Sequence, residues 1–429
     1  MRSQTKNSSY YLLLGVTISL VLFGVIMICS SSSAMAYAST ADSFHYLKRQ
    51  LVYILIGATA LVFLSRLDYR RLRQVTYGVV AVALVGLVAV EIPGVGHTAG
   101  GAARWIQVGP QPVQPSEIAK LAMLLAGADI LARKRDRLED FNELAVPLLP
   151  LVGLFCLLVV FQPDLGTAFT ISFAILILAF IAGAPLRHLA SIAGGLGVAV
   201  VIFIVSEPFR LRRFLAFLDP WSDPQKTGFH IIQSLLAFGS GGWHGIGLGL
   251  SRQKFFYLPA AHTDFIFAIV GEELGLIGTL LVVGLFAAFA YAGMRIAFRT
   301  RDFYGRLLAA GLTAMVVSQA VINMAAVTGL LPITGIPLPL VSYGGSSLIV
   351  TLAAVGIVLN VSSNRAALQG VAGARSRTKS SSVGRRDGGP RLSGAGSRGK
   401  AASSRAGASP ALRRDGGGAR GRRSTKAGA

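Results

Sequence analysis

The residues that could do chemistry stand out because they interrupt apolar runs. Asp264 follows His262-Thr263 and precedes Phe265-Ile266-Phe267. A carboxylate there is either a base or the N-cap of the helix that the apolar run begins. Glu272 and Glu273 lie two to three turns further along that run, and two adjacent carboxylates need countercharge from a neighbouring helix. Glu117 and Lys120 are spaced i,i+3 and share a helix face, as a buried ion pair or as an acid–base couple. Asp164, in Gln162-Pro163-Asp164-Leu165-Gly166, is open to the same two readings as Asp264. Cations gather nearby in type. Arg210, Arg212 and Arg213 are packed into Phe209–Leu218, Lys254 follows, and Arg104 adjoins Trp105. Guanidinium groups grip phosphate oxygens bidentately, whereas Lys acts as a point charge. The glycine-rich run Gly239–Gly249 either cradles phosphate with backbone N–H groups or makes a closely packed re-entrant turn. Pro332–Pro339 followed by Ser342-Tyr343-Gly344-Gly345-Ser346 reads as a rigid non-helical segment. No disulfide framework or metal-ligand set is legible, because Cys29 and Cys156 sit in apolar runs and the six histidines are scattered.

The elements that must position these groups are membrane helices. Of the 429 residues, 53% are hydrophobic and only 14% charged, against about 25% charged in a soluble domain. Such a composition calls for long apolar segments rather than a thicker core. Spans are expected at Tyr11–Ser30, Leu47–Leu64, Val75–Ile92, Ser116–Ala132, Ala145–Phe161, Leu165–Gly183, Leu189–Ser206, Asp264–Gly293, Leu307–Thr328 and Ser346–Val361. The fold class is therefore all-α: a polytopic integral membrane protein with about ten transmembrane helices. Arg2 and Lys6 before the first apolar run resemble a signal peptide, but that run is long enough to span and is read as the uncleaved first helix.

An even number of spans puts both termini on one side. With the N-terminus cytoplasmic, 31 Lys and Arg fall inside and 9 outside, or 15 against 9 without the tail, as the positive-inside rule requires. The organisation is then residues 1–10 as a cytoplasmic N-terminus, 11–361 as the membrane domain, and 362–429 as a basic cytoplasmic tail. That tail carries 16 basic residues and two acids, with almost no bulky apolar side chains, and is expected to be disordered and to touch anionic membrane lipids. No aromatics are interleaved in it, so no specific nucleic acid is expected. The long outer segment 207–263 holds six of the nine outside cations. Its Phe209–Leu218 stretch reads as an interfacial helix. Arginines, a carboxylate and Gly/Pro-built loops beside a bilayer suit an amphiphilic substrate with an anionic headgroup outside and a lipid tail inside.

The motifs resemble the shape, elongation, division and sporulation family of membrane proteins. They are Phe44-His45-Tyr46-Leu47-Lys48-Arg49-Gln50, Arg104-Trp105-Ile106, Gln114-Pro115-Ser116-Glu117, Gln162–Thr167, Asp219-Pro220-Trp221, His262–Phe267, Gly271–Gly275 and Pro332–Ser347. The resemblance spans Tyr11 to Val361, and Phe44–Gln50 and Pro93–His97 look more like the family's division branch. The sequence departs at Gly100 (usually Asn), Ala260 (usually Glu) and His230 (usually Gln). The resemblance implies a peptidoglycan glycosyltransferase that polymerises lipid II at the outer face of the cytoplasmic membrane, at the division septum. The growing chain leaves undecaprenyl pyrophosphate. Asp264 takes the place of the family's essential aspartate as base. Trp105 with Arg104 would border the substrate, as would His262, Thr263, Ser342, Gly344 and Gly345. By charge alone, Arg210, Arg212, Arg213 and Lys254 are candidates for the pyrophosphates. A divalent cation, Mg or Mn, could share that charge, and a class B transpeptidase is the implied partner. Two other readings use the same features: a lipid II flippase with Glu117, Lys120 and Asp164 as its polar path, or a non-catalytic scaffold for the transpeptidase.

Overall fold

A computed structural model describes residues 8–99, 102–109, 111–255 and 257–363. Gly100 and the tail from residue 364 lie outside them. Twelve α-helices make up the described chain: α1 (Ser8–Thr40), α2 (His45–Arg66), α3 (Tyr69–Val90), α4 (Pro115–Arg133), α5 (Phe141–Phe161), α6 (Leu165–Ala182), α7 (Leu186–Val205), α8 (Pro208–Leu218), α9 (Phe229–Gly241), α10 (Ile266–Arg299), α11 (Phe303–Val327) and α12 (Gly345–Ser363). Aspartates start four of them. The side chains of Asp68, Asp140, Asp164 and Asp302 accept main-chain N–H bonds at the first turns of α3, α5, α6 and α11, satisfying donors that a helix start leaves orphaned. Gly183 closes α6 in the left-handed conformation, where a Cβ would be strained.

Nine helices among the described residues are long and apolar enough to cross a membrane. They correspond to nine of the expected spans. The remaining expected span is α4, of which Glu117, Lys120 and Asp129 are buried. Its charges are met by protein. Asp129 is paired with Arg73 and with Arg133, the latter at 2.8 Å, and Glu117 with Lys120 at 2.9 Å. Such charges are tolerated at membrane depth only where they face protein partners. Helices α11 and α12 are almost wholly buried and form the centre, whereas α2 and α7 keep most of their surface outward, where lipid would cover it.

Two features depart from the expected run of helices. The α3–α4 connection is a three-stranded antiparallel sheet, β1 (Gly96–Ala99), β2 (Ala102–Val108) and β3 (Gln111–Val113), in the order β1-β2-β3. Its register pairs His97 with Trp105 and Ile106 with Val113. The eighth expected span begins later than expected, at Ile266, so Asp264 lies in the turn before α10. That helix is interrupted at Gly275 (φ 64°, ψ −157°), a conformation open to glycine alone. The glycine-rich run packs into the interruption. Ile246 and Gly247 donate to the carbonyls of Glu272 and Glu273, and Leu276 and Ile277 donate to those of Gly242 and Trp243. A Cβ on Gly245 would fall 2.1 Å from the Glu273 oxygen, so only glycine permits the approach. The run is thus a closely packed re-entrant turn, and these backbone N–H groups are spent on α10.

Candidate active site

Asp264 sits where three segments meet: the turn before α10, the proline-rich segment 332–339, and α11. Asn323 of α11 donates through Nδ2 to the Asp264 carbonyl (2.8 Å) and to the Ile336 carbonyl (2.7 Å). Gly335 borders the carboxyl in a left-handed conformation (φ 70°) that favours glycine, and a Cβ there would meet Oδ2 at an ordinary contact of 3.7 Å. The capping reading of Asp264 fails in this geometry. The residue flanking α10 is Phe265, and no side chain caps that helix.

The carboxyl is deep among protein atoms but keeps an accessible edge. Burial pushes its pKa up to about 6, against the pull of Arg104 and Arg213 and with a further push from Asp164. These four groups come from β2, α8, the start of α6 and the α10 turn. Arg104 is oriented by main chain, with Nε donating to Gln162 O at 2.9 Å and Nη2 to Pro163 O. Crowding by neighbouring protein atoms, with Arg104 as a like charge close by, disfavours the Arg213 cation, although its side chain keeps an exposed part on the surface of α8. A pair of guanidiniums beside a carboxylate, neither in an ion pair among the described residues, is short of negative charge and suits an anionic ligand.

Asp164 also caps α6, accepting from Thr167 N at 3.2 Å and from the Thr167 hydroxyl at 2.8 Å. Gln114 Nε2 approaches it at 3.3 Å. It acts on the site through charge while its oxygens hold the corner. Glu117 and Lys120 are a buried pair. Lys120 Nζ also reaches Gln319 Oε1 at 2.6 Å, and Gln319 Nε2 donates to the Pro337 carbonyl at 3.1 Å. This relay supports the segment that faces Asp264.

Several expected substrate contacts have other work. Lys254 is 4% exposed and binds Glu273 (3.3 Å) and the Gly249 carbonyl (2.5 Å), so its charge serves a buried carboxylate rather than a pyrophosphate. Glu273 also accepts from Ser30 of α1 at 2.6 Å, and Glu272 accepts from the Ser251 hydroxyl and from Arg252 N at 3.0 Å. The pair is therefore satisfied mainly by the re-entrant segment, with α1 contributing one hydroxyl. His262 is buried in an aromatic cluster, its ring centroid 4.6 Å from Tyr46 and 5.7 Å from Tyr343. Burial lowers its pKa to about 4 and keeps it neutral. Thr263 turns its hydroxyl onto the Ala260 carbonyl at 3.1 Å. The Ser342 hydroxyl accepts from Leu338 N at 2.9 Å, and Gly345 packs its backbone on the Tyr53 ring, so both build the turn. Gly344 is less crowded, with an added Cβ at ordinary contact distance. Arg210 lies 3.6 Å over the Phe203 ring and Arg212 sets its Nε on Pro208 O at 3.4 Å; Arg212 and Arg213 are both exposed, and of the three only Arg213 couples to Asp264. Trp105 follows Arg104 on β2 and by strand alternation projects from the other face of the sheet.

Asn323 and Gln319 were not singled out from sequence. They carry no motif, yet two amides spaced i,i+4 inside an apolar span put hydrogen-bonding groups on one face, and that spacing was the available signal. Among the described residues no group of three His, Cys, Asp or Glu side chains could hold a metal ion.

The comparisons agree with this architecture. The family model FTSW_RODA_SPOVE, described as "Cell cycle protein", matches residues 10–367. The probable peptidoglycan glycosyltransferase FtsW of Geobacter metallireducens is 43% identical over 353 residues, 81% of this chain and 92% of that protein. Stage V sporulation protein E of Bacillus subtilis is 44% identical over 358 residues, 83% of this chain and 98% of that protein. Among solved structures, a chain from "Structural coordination of polymerization and crosslinking by a peptidoglycan synthase complex" superposes with a TM-score of 0.69 at 30% identity, covering 85% of this chain and 99% of that one. The rod shape determining protein RodA of Thermus thermophilus superposes with a TM-score of 0.61 at 28% identity, covering 84% and 98%. The chain belongs to the shape, elongation, division and sporulation family of multi-pass membrane proteins, that of FtsW, RodA and stage V sporulation protein E.

Proposed function

We propose that this protein is a peptidoglycan glycosyltransferase that joins lipid II units into glycan strands, with Asp264 as its base. The observation that carries the reading is the Asp264 carboxyl, raised to about 6 by burial and set beside Arg104 and Arg213. A base poised near working pH is what deprotonating a sugar hydroxyl requires. The 4-hydroxyl of the incoming lipid II attacks the anomeric carbon of the growing chain. The new C–O bond forms as the bond to undecaprenyl pyrophosphate breaks, with inversion. The hydroxyl proton goes to Asp264, and the departing pyrophosphate keeps the electron pair. Arg213, with the free edge of Arg104, meets that developing charge. A divalent cation would share the pyrophosphate charge as a companion of the substrate, since the described residues hold no group of three His, Cys, Asp or Glu side chains for it.

The basic inner loops support cytoplasmic termini, and thus an outward-facing site where polymerised strands are needed. The relatives named FtsW favour a place at the division septum. The similarity to a chain of a peptidoglycan synthase complex favours a crosslinking partner, a class B transpeptidase. The test is purified full-length protein with fluorescent lipid II in detergent. Glycan ladders support the reading. Translocation in vesicles without ladders would replace it with transport, and neither activity would leave a scaffold.

A further inference from the structure

Asn323 is 2% exposed, and its Nδ2 bridges the carbonyls of Asp264 and Ile336. Those two acceptors fix the amide's orientation, because the flipped amide would set Oδ1 against two carbonyl oxygens. In that orientation Oδ1 has no hydrogen-bond partner among the described residues. A buried acceptor left unpaired is costly and marks a place for a donor. Asn323 lines a recess of ≈ 10 Å³ together with Asp264, Thr334 and Gly335, its other walls being apolar residues such as Phe265, Ile333 and Val327. That is about the space one water needs, and Asp264, Asn323 and Thr334 offer it polar partners.

We propose that Asn323 is a positioning residue for Asp264, holding its main chain through Nδ2 and, through Oδ1, a single water that hydrogen-bonds the Asp264 carboxyl. The inference rests on the reading of Asp264 as the base. The water donates one hydrogen to Oδ1 and one to the carboxylate, so the carboxylate stays aimed at its open edge and is solvated by one molecule rather than many. The charged groups that face Asp264 are Arg104 from β2, Arg213 from α8 and Asp164 at the start of α6. His230 of α9 packs its ring 5.8 Å from Phe265 and is held neutral by burial and by Arg213.

Asn323→Ala opens the recess to more water, and Asn323→Leu fills it. Polymerisation by the full chain is followed against pH with fluorescent lipid II, beside Asp264→Asn. Both Asn323 variants are expected to lower kcat by on the order of 10²-fold with little change in KM, as small misplacements of a catalytic group do. The midpoint of the acid limb should move down in Asn323→Ala, where the carboxylate gains water, and up in Asn323→Leu, where it loses its one donor. Monodisperse elution checks folding. If the leucine variant does not fold, Asn323→Ser takes its place and should shift the midpoint less than alanine does, because its hydroxyl occupies part of the recess. Midpoints that stay at the wild-type value, whatever the turnover, overturn the proposal. If Asp264→Asn itself makes glycan, the base assignment falls and this inference with it. If Asp264→Asn is inactive while the Asn323 variants keep the wild-type midpoint, only this inference falls.

Discussion

Arg104 Nε donates to the main-chain carbonyl of Gln162 at 2.9 Å, fastening the β-sheet to the corner between α5 and α6. The bond places a guanidinium beside Asp264, where its charge favours the ionised carboxyl. Arg104→Lys cannot reproduce the fork that grips two successive carbonyls. Turnover should drop at least about tenfold, the cost of losing one hydrogen bond to a charged group. In Arg104→Gln the lost cation raises the Asp264 pKa further, so the acid limb of the rate profile should move to higher pH. An unmoved limb in a folded variant would contradict the electrostatic link.

The wild-type pH profile carries its own sign. The base must be ionised to accept a proton, so polymerisation should be full above the Asp264 pKa and fall as pH drops through about 6. An ordinary aspartate would hold activity to about 4. The same shift bears on stability. A carboxyl whose folded pKa is raised contributes stability below its unfolded pKa, and loses that contribution as pH rises through about 6. Asp264→Asn should therefore raise the melting temperature more at pH 7.5 than at pH 5, by scanning fluorimetry in detergent. An equal effect at both would show that the carboxyl is not strained by burial.

Lys254 and Glu273 are a buried pair, 3.3 Å apart, tying the re-entrant segment to α10. Removing one partner of a buried pair costs about 3–5 kcal/mol, because the other charge is stranded. Lys254→Met should destabilise by that order, and Lys254→Met with Glu273→Gln should recover most of it. Thermal melts of the two single variants and the double variant check this. A Lys254 single variant as stable as wild type would mean that Glu273 does not rely on its cation.

How far could the sequence be read? The spans were legible because a bilayer demands long apolar runs, and Asp264 was legible as a candidate because a carboxylate beside such a run needs a reason, its role as base being what the family resemblance implies. The chemistry of Lys254 was not. Cations in a long loop look alike in a sequence, and only the re-entrant path shows that Lys254 faces Glu273. The interruption at Gly275 was hidden for a similar reason, since glycine is common in membrane helices and its partner segment, Gly242–Gly247, lies some thirty residues away. The β-sheet was masked by its length. Strand β2 has only seven residues, Ala102–Val108, and Trp105-Ile106 break the apolar–polar alternation, so no period-two signal stands out between two apolar helices.

The three arginines of α8 now separate. Arg213→Gln should raise the lipid II requirement or lower turnover in detergent by roughly tenfold, as the loss of one charge-assisted contact does. Arg210→Gln and Arg212→Gln should match wild type there, since neither couples to the Asp264 carboxyl: Arg210 stacks on Phe203 and Arg212 turns back onto the Pro208 carbonyl. Lipid II titrations on the three variants decide it, and a larger effect at Arg212 than at Arg213 would overturn the placement.

The tail from residue 364 holds sixteen basic residues and none of the groups around Asp264. Its removal should leave glycan synthesis unchanged and abolish a salt-sensitive binding to vesicles rich in anionic lipid. Truncated protein that folds yet makes no glycan would assign the tail a part in catalysis.

The most direct measurement is the glycan product of purified Asp264→Asn compared with wild type, on fluorescent lipid II above pH 7, with and without a class B transpeptidase. Asparagine keeps the shape of the side chain and cannot take a proton. The variant should elute and melt as a folded protein and yield no strands under either condition, while wild type yields ladders. Near-normal strands from the variant would contradict the assignment of Asp264 as the base.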